Sequence, residues 1–150
     1  MLDELGEIKD AVFYKELISK CGAVQHSGDS RSGKEDGFDE VITIDLQKLD
    51  LSINYLSIVI NNFSEGGFKG VSNASCKVLG EENQEYHFID LDEMKNAGAQ
   101  DNGILVGTLY RNKCNWYFLN QDLKVPGCWY GDEDCEKMIK QNLLYCKFDS

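Results

Sequence analysis

Val41-Ile42-Thr43-Ile44-Asp45-Leu46 places Ile42, Ile44 and Leu46 at every second position, with Thr43 and Asp45 between them. A repeat of two is that of an extended chain, whose successive side chains face opposite ways, so this stretch predicts a strand with one buried face. Tyr55-Leu56-Ser57-Ile58-Val59-Ile60 is apolar almost throughout and rich in β-branched residues, which predicts a central strand. Outward from these two, Ala11–Tyr14, Ala74–Leu79, Tyr86–Leu91, Ile104–Arg111 and Asn115–Leu119 read the same way. The last two are separated by Asn112-Lys113-Cys114, a short polar connection that suits a hairpin. Short strands punctuated by Gly, Asn and Asp predict an all-β antiparallel β-sandwich.

The pattern changes near the C-terminus. Gly131-Asp132-Glu133-Asp134 supplies a helix start with acids near its positive end. Cys135, Met138, Ile139, Leu143 and Cys146 then recur at helical spacing, which predicts an amphipathic helix with its apolar stripe on the sheet. No repeat, low-complexity segment or linker divides the 150 residues, so one domain over 1–150 is expected.

Composition narrows the function. Fifteen basic against 26 acidic residues give a net charge of −11, which repels a phosphate backbone and makes cations the natural partners. No apolar run approaches the roughly 18 residues a membrane span needs. The N-terminal Met1-Leu2-Asp3-Glu4-Leu5-Gly6-Glu7 has neither the basic nor the apolar segment of a secretory leader, so a cytoplasmic location is expected. Without a secretory leader, Cys21, Cys76, Cys114, Cys128, Cys135 and Cys146 are read as reduced thiols, and with no C-x-x-C pair among them a zinc site is not expected.

The most informative connection is Gly28-Asp29-Ser30-Arg31-Ser32-Gly33-Lys34-Glu35-Asp36-Gly37-Phe38-Asp39-Glu40, with five acids and three glycines in thirteen residues. Hard cations such as Ca²⁺ take six to eight oxygens, and glycines let carbonyls turn inward beside the carboxylates. Asp29 and Glu40 are spaced like the first and last ligands of an EF-hand, but Arg31, Gly33 and Lys34 break that pattern and the flanks read as strands. On spacing alone the loop is either a metal site or a solvated turn. His26, just before it, is either a base or ligand or a satisfied strand histidine.

Gly28-Asp29-Ser30-Arg31-Ser32-Gly33, followed by Asp36-Gly37-Phe38-Asp39-Glu40-Val41-Ile42, resembles the signature of the TerD family of tellurium-resistance and general stress proteins. That signature runs approximately G-D-N-x-T-G-x-G-D-G-D-D-E into a strand. Val12-Phe13-Tyr14 and Gly22-Ala23-Val24-Gln25-His26-Ser27 look like the family's preceding hairpin. Phe68-Lys69-Gly70-Val71-Ser72-Asn73-Ala74 resembles its F-G-x-V-x-N-A segment, and Gly107-Thr108-Leu109-Tyr110-Arg111 with Trp116-Tyr117-Phe118 its G-E-L-Y-R and aromatic strand.

The resemblance implies a TerD-type β-sandwich that binds Ca²⁺ through acidic loops, in a cytoplasmic stress response and without an enzymatic reaction. Carried over by position, the metal ligands are Asp29, Asp36, Asp39 and Glu40, with carbonyls near Ser30, Gly33 and Gly37 as further donors. Two departures matter. Phe38 and Glu35 stand where the family has an acid and a Gly, and the family's F-D-L-D-A strand has no counterpart, so the domain reads as lacking its first strands. A shortened donor set weakens Ca²⁺ binding, and a missing strand leaves an edge for a protein partner or self-association. The alternative is a metal-free β-sandwich interaction scaffold with a degenerate calcium loop. An enzyme is not expected, because no nucleophile–base–orienter set is legible.

Overall fold

The computed structural model describes residues 1–27, 40–61, 75–91, 103–125 and 131–147. Seven strands and one α-helix are placed within them: β1 Val24–His26, β2 Ile42–Ile44, β3 Tyr55–Asn61, β4 Ser75–Leu79, β5 Glu85–Asp90, β6 Gly103–Asn112, β7 Asn115–Val125 and α1 Glu133–Asn142. The architecture is all-β, mostly antiparallel, with a C-terminal helix. The chain divides into two compact units, Met1–Tyr55 and Leu56–Ser150.

In the first unit β1 and β2 pair antiparallel, Val24 opposite Ile44 and His26 opposite Ile42. A further bridge, Ile18 to Gln25, lays the preceding segment alongside β1. Near the N-terminus Leu2 N–H donates to the Tyr55 carbonyl and Tyr55 N–H to that of Leu2, at 2.8 and 3.1 Å. Leu2, Val24, Leu49 and Ile53 are buried here. Ala11–Tyr14 is not a strand: Phe13 and Glu16 exchange two backbone hydrogen bonds across a tight turn. The strand expected over Val41–Leu46 is confined to Ile42–Ile44, because Asp45 opens a turn by accepting from the Gln47 N–H at 3.1 Å.

The second unit carries the sandwich. One sheet has the order β3-β6-β7 and the other pairs β4 with β5. Between them Leu91, Ile104 and Val106 form a buried cluster, packed by Ile58 and Ile60 of β3, Cys76 and Val78 of β4, Ile89 of β5 and Phe118 of β7. Alternation along β4 sends Cys76 and Val78 inward and Ser75, Lys77 and Leu79 outward. Among the described residues the middle strand is β6, not the β3 stretch whose sequence looked most apolar. Leu105 and Val106 are fully buried, worth roughly 1.5–3 kcal/mol each in transfer free energy. β6 and β7 join through a two-residue turn, Lys113-Cys114, with Lys113 at φ 57°.

Helix α1 starts as read but ends at Asn142, and Leu143 and Cys146 of the expected stripe lie in the 3-10 helix Leu143–Lys147 that follows. The Asp132 carboxylate accepts from the Asp134 N–H at 3.0 Å and satisfies one otherwise orphaned donor. Cys135, Ile139, Leu143 and Cys146 are buried, so the apolar stripe is covered. A polar chain joins the helix to the sheet. Thr108 Oγ1 donates to Gln121 Oε1 at 2.7 Å, and Gln121 Nε2 donates to the Asn142 carbonyl at 3.2 Å. Because the single Thr108 proton is committed to Gln121, the Ser57 hydroxyl 3.1 Å away donates to Thr108. Asn142 is the last residue of α1, so Gln121 bonds a carbonyl at the C-terminal end of that helix. Cys21, Cys76, Cys114 and Cys146 are reduced, but Cys135 is disulfide-bonded, so the reading of wholly reduced cysteines fails at Cys135.

Candidate metal loop and its frame

The acidic loop leaves the open end of the β1–β2 pair. Its base is closed twice over: Ser27 N–H donates to the Val41 carbonyl, and Val41 N–H donates to Ser27 Oγ, both at 2.9 Å. Strand pairing continues directly into this clasp, His26 opposite Ile42. The ends of the thirteen-residue connection are therefore fixed by the hairpin, and the entropy of bringing them together is already spent in folding.

Of the four ligands expected from the sequence, Glu40 lies among the described residues, and Asp29, Asp36 and Asp39 lie outside them. Glu40 is exposed at the mouth of the clasp, with Oε2 3.7 Å from His26 Nε2. The His26 ring is 6% exposed and the Glu40 side chain 52%, so the imidazole is walled into the hairpin and the carboxylate faces solvent. His26 therefore stands as a neighbour of the loop. The segment Phe68–Ala74, including Asn73, also lies outside the described residues, as do Cys128 and Trp129. Among the described residues no group of three or more His, Cys, Asp and Glu side chains is arranged to hold a metal. The donors that the sequence gathers in 28–40 are all oxygens, which fits a hard divalent cation and not a soft one.

A second constellation was not legible in the sequence. His87 of β5 and Asp122 of β7 join the two sheets, Nε2 to Oδ1 at 2.7 Å. Asp122 sits at an irregularity in the β6–β7 register between Leu105 and Gly107, with φ 49°. A bulge of this kind re-aims a side chain, here toward the facing sheet. Phe118 packs against the His87 ring at 6.0 Å between centroids. Cys76 shares the inward face with His87, and its thiol is pushed up by burial and then by the Asp122 charge. A thiol held protonated in this way is a poor nucleophile.

Contacts at Gly107, Tyr110 and Arg111 explain the Gly107-Thr108-Leu109-Tyr110-Arg111 motif. A Cβ on Gly107 would meet the Leu119 carbonyl and the Phe118 ring at 2.5 Å each, so the ring needs the bare glycine backbone. Tyr110 and Tyr117, paired across the hairpin, stack at 5.5 Å, and Arg111 lies 4.7 Å over the Trp116 ring. No helix among the described residues is long and apolar enough to cross a membrane.

Comparison with known proteins matches the TerD domain over residues 1–121. The tellurium resistance protein TerZ of Serratia marcescens is 36% identical over 118 residues, covering 79% of this chain and 59% of that protein. The stress response protein SCP2 of Bacillus subtilis (strain 168) is 31% identical over 119 residues, 73% of this chain and 56% of that protein. The chemical-damaging agent resistance protein B of Clostridium acetobutylicum is 32% identical over 114 residues, 73% of this chain and 80% of that protein. The chain thus spans less than two thirds of the length of the first two relatives.

Proposed function

The chain belongs to the TerD domain family, and from that premise we propose that it is a non-enzymatic, calcium-binding stress-response domain acting in the cytoplasm, whose loop 28–40 orders around Ca²⁺. Asp29, Asp36, Asp39 and Glu40 supply the carboxylates, and ordering of the loop presents a surface to a protein partner. The observation that carries the reading is the Ser27–Val41 clasp, which holds both ends of an oxygen-rich connection on a paired frame. The names of the relatives speak of tellurium resistance and stress response, and the net charge of −11 argues against direct capture of a toxic oxyanion here.

Calorimetric titration with CaCl₂, watched in parallel by backbone NMR, tests the proposal. Saturable heat with shifts confined to 27–41 is expected, and Asp36→Asn with Asp39→Asn removes both. Calcium at about 100 times its Kd raises stability by about 2.7 kcal/mol. No heat and no shift at millimolar calcium overturns the reading. A metal-free scaffold is the second reading, favoured by Phe38 at an acidic position of the family motif and by Glu40 lying 3.7 Å from His26. It expects Asp36→Ala and Asp39→Ala to leave stability and partner binding unchanged.

A further inference from the structure

The β4–β5 sheet carries apolar side chains on both faces. Its inner face packs the sandwich core through Cys76, Val78 and Ile89. Its outer face carries Leu79 on β4 and Tyr86 and Phe88 on β5, which are 38%, 55% and 48% exposed. Lys77 stands opposite Phe88 in the register, with its ammonium 5.9 Å over that ring. The Tyr86 ring lies against Gly80, where a Cβ would collide with Cε2. Both rings are thus held on the sheet surface, and a partner that meets them loses little further side-chain entropy.

Apart from Lys77, the charge around this strip is negative. The turn that joins β4 to β5 exposes Glu81 and Glu82, and Glu85 follows at the start of β5. Lys77 is the single Lys or Arg within residues 75–90. A second copy of this chain, an anionic lipid surface or a nucleic acid would bring like charge against these glutamates. We propose that the outer face of β4–β5 docks a cationic, apolar segment of another protein. Its apolar side chains lie on Tyr86, Phe88 and Leu79, and its Lys or Arg residues face Glu81, Glu82 and Glu85. Exposed aromatic anchors ringed by charge are the composition of an interface centre and its rim.

The full chain is titrated against a fluorescein-labelled peptide of sequence Lys-Trp-Lys-Leu-Lys-Phe-Lys, with a second peptide carrying Glu at every Lys as control. Anisotropy gives affinity, and amide shifts locate the contact. The cationic peptide is expected to bind with shifts within residues 75–90. Tyr86→Thr with Phe88→Thr, which keeps strand-forming side chains, weakens it at least about tenfold. Glu81→Gln with Glu82→Gln weakens it several-fold and flattens its salt dependence. Absence of binding, equal binding of the acidic peptide or shifts elsewhere on the chain overturns the proposal. So does self-association abolished by Phe88→Thr, which would make a second copy the occupant. If the aromatic double variant does not fold, the glutamate variants and the shift map decide alone. Neither outcome depends on calcium, so the test stands apart from that of the loop.

Discussion

Replacing Thr108 by Val removes one hydroxyl from the chain that runs Ser57–Thr108–Gln121–Asn142 and changes little else. Thr108 is 1% exposed, and Val fills nearly the same space, so no cavity of consequence opens. Gln121 Oε1 loses its 2.7 Å donor, and the Ser57 hydroxyl loses its acceptor. Each net bond is worth about 1 kcal/mol, and stranding the half-buried oxygen of Gln121 adds to that, so a loss of about 2 kcal/mol follows. At this chain length that lowers the thermal midpoint by about 4–8 °C. Urea and thermal melts of Thr108→Val, Gln121→Leu and the double variant form the assay. Gln121→Leu also uncaps the Asn142 carbonyl, so amide exchange in the last turn of α1 accelerates in that variant. The double variant is expected to lose less than the sum of the two, by about 1 kcal/mol. A loss below about 0.5 kcal/mol for Thr108→Val, with additive singles, refutes the idea that this chain stabilises the second unit.

Two more outcomes follow from local geometry. Gly107→Ala pushes a methyl into the Phe118 ring and the Leu119 carbonyl and costs about 1–3 kcal/mol, measured by denaturant unfolding; an unchanged midpoint refutes the role assigned to that glycine. The Asp3 carboxyl is held below its ordinary 3.8, first by the Glu7 N–H, which desolvation opposes, and then by the Lys9 side chain and the Leu5 N–H. A depressed folded value means a contribution that is complete above 3.8 and fades as pH falls through the lower folded value, so the advantage of the native chain over Asp3→Asn shrinks on acidification below about pH 4. An advantage that stays constant from neutrality into that range contradicts it.

Periodicity exposed β2 to β7, but it misread Ala11–Tyr14, passed over β1 and said nothing of which strands are neighbours. Tyr55–Ile60 is more uniformly apolar than Ile104–Arg111, yet β6 takes the middle place, because Gly107 and Thr108 dilute its pattern while serving a ring and a hydrogen-bond chain. β7 runs on to Val125 through Asn120, Gln121 and Asp122, polar residues that conceal a strand when their partners are not in view. Gln121 caps a helix and Asp122 bonds a histidine 35 residues earlier, and neither relation leaves a local trace in the sequence. The start and buried face of helix α1, by contrast, were legible, since an N-cap and a 3.6-residue stripe are local signals, while its tightening to a 3-10 helix after Asn142 was not. At the acidic loop, chain order gave the carboxylates and the flanking strands, while the Ser27–Val41 clasp and the Glu40–His26 approach depend on pairing that only the folded hairpin supplies.

The TerD match stops at residue 121, and that residue is the amide that grips the end of α1. Residue 121 lies inside β7, so one side chain of the sheet acts as a polar rivet for the C-terminal helix. Without that amide the helix would be held to the sheet by its buried stripe alone, which fixes how deep it sits but not how far along the sheet it slides.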